Sequence, residues 1–125
     1  MSDRKTVILC VDDEDNPLVL RKLVLQKAGH EVITARSGKE ALDLIGSRSV
    51  DLVLSDYLMP GMNGAELAEQ VKAQHPELPV VLISGVNEIP PGASIADAFV
   101  SKVEGPDALS RQISAVLERG GTAAE

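Results

Sequence analysis

Apolar residues along this chain fall into two alternating kinds of run. Short, nearly continuous or alternating runs occur at Thr6–Val11, Glu31–Ala35, Asp51–Ser55, Pro79–Ser84 and Ala98–Ser101. Each is four to six residues long and bounded by polar or turn-forming residues, the pattern of a strand. Between them, apolar residues recur at helical spacing. Leu20, Leu23, Val24 and Ala28 form one such stripe, and Ala41, Leu42 and Ile45 a second. Leu67, Ala68 and Val71 make a third, and Leu109, Ile113, Val116 and Leu117 a fourth.

The ends of these helical segments carry matching signals. Asn16 before Pro17 suits an N-cap with proline at the first helical position. Ser37 with Glu40 fits a capping box, and Asn63 with Glu66 a looser version of one. Gly105-Pro106 opens the last helix, while Gly29, Gly46 and Gly120 stand where helices are expected to stop. Strands alternating with helices predict an α/β fold: a doubly wound parallel sheet covered on both faces. Right-handed crossovers then leave few topologies. There is no internal repeat, and the expectation is one domain over residues 1–120. Residues 121–125 read as a flexible tail or the stub of a linker.

Composition narrows the class. The 125 residues suit one domain with one core, and 44% hydrophobic with 25% charged content is ordinary for a globular protein. A net charge of −7 repels DNA phosphates and anionic lipid, so neither nucleic acid nor a membrane is expected as a partner. Cys10 is the single cysteine; it sits in an apolar run and reads as a buried, unreactive thiol. The N-terminal apolar run is too short for a signal peptide or a membrane span, which makes the cytoplasm the expected location.

The informative residues stand at strand ends. In doubly wound folds, ligands bind beyond the carboxyl ends of the strands. The first strand runs into Asp12-Asp13, the third into Asp56, the fourth into Ser84 and the fifth into Lys102. Taken singly, each reads as an ordinary loop or turn residue. Together they place three carboxylates, a hydroxyl and an ammonium on one rim. Carboxylates so close repel unless a cation intervenes. An oxygen-only donor set suits Mg2+, with Mn2+ or Ca2+ as alternatives, and Mg2+ is commonly shared between carboxylates and phosphate. Met59-Pro60-Gly61 and Gly64 shape the loop after Asp56, because proline fixes φ and glycine permits turns that other residues resist. His30 and His75 read as solvated helix-end residues.

The motifs "VDDE", "SDYLMPGMNG", "LISG" and "FVSK", in this order and spacing, resemble the receiver domain of two-component response regulators over essentially the whole chain. That resemblance implies a five-stranded sheet in the flavodoxin-like order 2-1-3-4-5 (receivers are among the standard examples of this order). It implies that Asp56 accepts a phosphoryl group from a sensor histidine kinase or a histidine phosphotransfer protein. It further implies Mg2+ (or Mn2+) held by Asp13 and Asp56 directly, by Asp12 through water, and by the backbone carbonyl of Leu58. Ser84 and Lys102 would contact the phosphoryl group, and Ser84 with Phe99 would form the conformational switch. The downstream protein target is not named by the sequence. A receiver assists its own modification but turns over no separate metabolite, so the chain is not expected to be an enzyme.

Three departures from the family pattern stand out. Val103 replaces the proline that usually follows the lysine; a cis bond before a non-proline residue costs about 2.5–4 kcal/mol, so a trans Lys102–Val103 bond is expected. Ser84 and Lys102 are eighteen positions apart, about one helical turn fewer than is usual. The intervening segment contains Pro90-Pro91-Gly92, which opposes a helix and predicts a short or missing fourth one. Partners would then read another face, such as the first or the last helix. Leu58 and Val86 stand where polar side chains in relatives orient an attacking water, which predicts slow self-dephosphorylation. Two rival readings are an interaction scaffold indifferent to phosphorylation and a phosphohydrolase with a nucleophilic aspartate. The second lacks the usual second acid, because Leu58 occupies its place.

Overall fold

Strand alternation sorts the core into two layers. In the computed structural model, which describes residues 5–85, 95–102 and 105–124 (119–124 by backbone alone), the strands are β1 (Val7–Val11), β2 (Glu31–Ala35), β3 (Leu52–Asp56), β4 (Val80–Ser84) and β5 (Ala98–Ser101). Each lies within a residue of the run that predicts it. All neighbouring strands pair parallel, in the order β2-β1-β3-β4-β5. The helices among the described residues are α1 (Asp15–Lys27), α2 (Gly38–Ser47), α3 (Gly64–Gln74) and α4 (Gly105–Ala124).

Successive side chains of a strand point to opposite faces. Leu9, Val11, Val53 and Leu82 therefore pack with Ala41, Ile45, Leu67, Ala68 and Val71 of α2 and α3. Ile8, Cys10, Leu54, Val81 and Ile83 pack on the other face with Leu18 and Leu25 of α1 and with Leu109, Ile113 and Val116 of α4. β1, β3 and β4 are buried along their whole length, as strands covered on both faces must be.

Helix ends agree with the sequence in part. Gly29, at φ +100°, follows the C-cap Ala28 and ends α1 as expected. The Asn63–Glu66 capping box is complete: each backbone N–H donates to the other residue's side chain, at 2.8 and 2.9 Å. Ser37 Oγ accepts the Glu40 N–H, but the Glu40 carboxylate reaches one residue further back, to the Arg36 N–H. Three other expectations are corrected. α1 is capped by Glu14, not Asn16, and Pro17 takes its third position, where a missing N–H costs nothing because first-turn donors have no intrahelical acceptor. Gly46 lies inside α2, which runs on to Ser47. Gly120 lies inside α4, whose backbone stays helical to Ala124.

The largest correction concerns the buried face of α1. Leu20 and Leu23 are 62% and 58% exposed and Ala28 is exposed; the stripe that meets the sheet is Leu18, Arg21 and Leu25. The Lys102–Val103 bond, Val86 and the Pro90-Pro91-Gly92 segment, with the expected short or missing helix, lie outside the described residues. Among the described residues no helix is long and apolar enough to cross a membrane.

Candidate functional site

Five parallel strands share one direction, so their carboxyl ends share one edge, and the predicted residues meet there. Asp12 directly follows β1 and continues its pairing, donating its N–H to the Ala35 carbonyl at 3.1 Å. Its side chain is buried, whereas that of Asp13 is exposed. Asp56 closes β3 opposite Ile83 and is 4% exposed. Oxygens of Asp12, Asp13 and Asp56 all lie within 4.8 Å of one another. Lys102, just beyond β5, brings its Nζ to 2.9 Å from Asp56 Oδ1.

The loop after Asp56 is shaped by close backbone approach. Tyr57 donates its N–H to the Ile83 carbonyl, and Gly64 donates to the Tyr57 carbonyl, each at 2.8 Å. A Cβ on Gly64 would stand 2.5 Å from the Asp56 carbonyl oxygen and 2.9 Å from Tyr57 Cα. Only glycine lets α3 begin so close to the end of β3. Met59 is buried in the core and anchors the loop, and Gly61 takes φ +75° at its turn.

Burial raises the pKa of Asp56, and the negative charge of Asp12 adds to the rise; Lys102 and Arg21 oppose it. Asp56 Oδ1 is buried, and among the described residues its near partner is the Lys102 ammonium at 2.9 Å, with no well-aligned hydrogen bond to it. A buried carboxylate oxygen in that state, with two further carboxylates beside it, fits a divalent cation. The donors are oxygens only, the chemistry of Mg2+.

Ser84, the last residue of β4, is buried at the same edge, opposite Ser101 of β5. Phe99 lies on β5 opposite Leu82 and packs against the core layer of α2 and α3. Leu58 has a 68% exposed side chain two residues beyond Asp56. Burial pushes the Cys10 thiol up to about 12, in keeping with an unreactive core residue.

Sequence reasoning missed Arg21. It is 8% exposed; its Nη1 donates to Asp12 Oδ2 at 2.8 Å, and its Nη2 lies 4.0 Å from Asp56 Oδ1. The signal was present as a cation three residues after Leu18 and four before Leu25, on the stripe those leucines define.

Comparison with known proteins agrees with this geometry. The chain is 33% identical over 129 residues to the transcriptional regulatory protein GlrR of Escherichia coli, covering 100% of this chain and 29% of that protein. It is 31% identical to the alkaline phosphatase synthesis transcriptional regulatory protein PhoP of Bacillus subtilis, covering 50% of it. The chain thus spans between about a third and a half of the length of these relatives. Among solved structures, a CheY-like receiver domain protein from Methanospirillum hungatei superposes with a TM-score of 0.88 at 27% identity, over 96% of this chain and 99% of that one. The response regulator TrrA of Thermotoga maritima, solved in complex with Mg(2+)-BeF, superposes with a TM-score of 0.83 at 33% identity, over 88% and 97%. Residues 8–114 match the model of the response regulator receiver domain, and the chain belongs to that family.

Proposed function

We propose that this chain is a phosphorylation-operated signalling switch in which Asp56 accepts a phosphoryl group from a phosphohistidine of a sensor kinase or phosphotransfer protein. The observation that carries this reading is the convergence of Asp12, Asp13 and Asp56 within 4.8 Å, with Lys102 Nζ 2.9 Å from the buried Asp56.

A carboxylate oxygen of Asp56 attacks phosphorus. The new O–P bond forms as the N–P bond of the donor breaks, and its electron pair leaves on the imidazole nitrogen. Asp13 and Asp56 would hold Mg2+, with the Leu58 carbonyl; Asp12, whose oxygens already accept from Glu14 N–H and Arg21, would act through water. Bound Mg2+ would neutralise charge on the transferring oxygens. Lys102 pairs with Asp56 in the resting chain and follows the charge onto the phosphoryl oxygens. Ser84 donates its hydroxyl to one of those oxygens, and its displacement is read by Phe99, which couples β5 to the core. Leu58 offers no polar group to an attacking water, so the phosphoryl group is long-lived.

The test is incubation with acetyl phosphate and Mg2+, followed by mapping of the modification. Incorporation at Asp56, absent from Asp56→Asn and after chelation, is expected. Binding of a protein partner with no incorporation in the parent chain would favour the scaffold reading.

A further inference from the structure

A buried guanidinium needs a reason, because removing its charge from water is unfavourable unless it is paired. Of the two terminal nitrogens of Arg21, Nη1 is hydrogen-bonded and Nη2 is aimed elsewhere. Nη1 donates to Asp12 Oδ2, while Asp12 Oδ1 accepts the Glu14 N–H at 3.0 Å, so both oxygens of this acid are engaged. Nη2 faces Asp56 Oδ1 across 4.0 Å, the same buried oxygen that Lys102 approaches and that has no well-aligned donor among the described residues. The guanidinium thus bridges the two buried acids from the side of α1, opposite in origin to Lys102 from β5. It also borders a groove of about 440 Å³ between α1, β5 and α4, which gives the side chain room to shift.

We infer that Arg21 is a resident cation of the acidic pocket, holding Asp12 in place of a divalent ion and passing to the phosphoryl group once Asp56 is modified. This rests on the reading of Asp56 as phosphoacceptor. Three carboxylates with Arg21 and Lys102 leave one net negative charge, so Arg21 opposes entry of a divalent cation. After that ion and a phosphoryl group have entered, the sign of its effect reverses. A guanidinium matches phosphoryl oxygens in a fork that an ammonium cannot offer. Arg21 is therefore a positioning residue with opposite effects on the two ligands: it weakens metal binding and strengthens phosphoryl binding. A purely structural counter-ion for Asp12 would shift both in one direction or neither.

The test measures Mg2+ affinity by calorimetry, then the affinity of beryllofluoride at saturating Mg2+, in the parent chain, Arg21→Met and Arg21→Lys. Arg21→Met is expected to bind Mg2+ at least about tenfold more tightly and beryllofluoride at least about tenfold more weakly, the scale of one unit charge at this range. Arg21→Lys should restore the metal affinity and only part of the analogue affinity. Equal shifts of one sign, or none, would overturn the inference. Since Arg21→Met leaves a buried Asp12 without its partner and risks failing to fold, a second readout uses the unaltered protein. The guanidinium NMR signals of Arg21 should move on adding Mg2+ and again on adding beryllofluoride; signals fixed through both additions would sink the idea. If the parent chain binds neither ligand, it is the phosphoacceptor reading that fails.

Discussion

Helices α1 and α3 both leave the acid-bearing edge of the sheet, but they meet it by different means. α3 is fixed by its backbone: a capping box at Asn63–Glu66, a glycine pressed against the Asp56 carbonyl, and a buried stripe of Leu67, Ala68 and Val71. α1 is fixed by a charge. Its first turn is held by the Asp12 carboxylate on the Glu14 N–H, and Arg21 lies in its buried stripe while Val19, Leu20 and Leu23 face outward. One helix seats Asp56 through backbone contacts; the other brings a buried cation beside it. Asp56 thus has one neighbour of each kind, a packed backbone on the α3 side and a charge on the α1 side.

The sharpest break of this contrast comes from the packed side. Leu67 is fully buried between α3 and the sheet. Leu67→Ala should cost about 2–5 kcal/mol in urea unfolding, the range for leucine deletions in well-packed cores. Next in size is Gly64→Ala, whose new Cβ meets backbone and not a flexible side chain. A loss of about 1–3 kcal/mol is expected, with amide shift changes concentrated at Asp56 and Tyr57. Changes confined to the far end of α3 would show that the close approach does not seat the acid.

The same contrast explains how much was legible beforehand. The strands, their parallel direction and the gathering of Asp12, Asp13, Asp56 and Lys102 follow from short apolar runs that each end in a polar residue, whereas the strand order is what the resemblance to receivers implies. The α3 seat was legible because capping and glycine signals are local. The α1 face was not. Leu20, Leu23, Val24 and Ala28 make as good a helical stripe as Leu18, Arg21 and Leu25, and hydrophobicity alone prefers the first. The face that meets the sheet also carries a pair nine residues apart, Arg21 with Asp12, which no local pattern displays. Local pattern and tertiary structure conflict where the functional site is built. Gly46 and Gly120 failed for a simpler reason: nothing at those positions demands a positive φ, and a helix tolerates glycine at about 1 kcal/mol.

A smaller effect separates the charge from the packing. The raised pKa of Asp56 means that the folded chain binds its proton more tightly than the unfolded chain does. Ionisation therefore costs stability, starting as pH rises from the ordinary aspartate value of 3.8 and complete above the raised one. In chelator-treated buffer near neutrality, Asp56→Asn should melt about 2–8 °C above the parent, the shift that about 1 kcal/mol produces in a domain of this size. The gap should close as pH falls toward 3.8. A gap independent of pH would assign the gain to something other than relief of a buried charge.

The smallest effect is expected where hydrophobicity alone would predict a large one. Leu20 and Leu23 lie on the outward side of α1, and apolar groups that remain in water in the folded state contribute little to its stability. Leu20→Ser and Leu23→Ser should each change the free energy of unfolding by less than about 0.5 kcal/mol, as surface substitutions do. Leu25→Ser on the same helix, where the side chain is fully buried, should cost several times more, because a hydroxyl replaces packed methyls and leaves a cavity. The two sets of variants lie on opposite sides of α1, and the Arg21–Asp12 pair lies on the buried one. If Leu20 and Leu23 proved the costly positions, α1 would be turned by its leucines and not by its arginine. Arg21 would then be displaced from the acids, and the cation that distinguishes this side of the pocket would be lost.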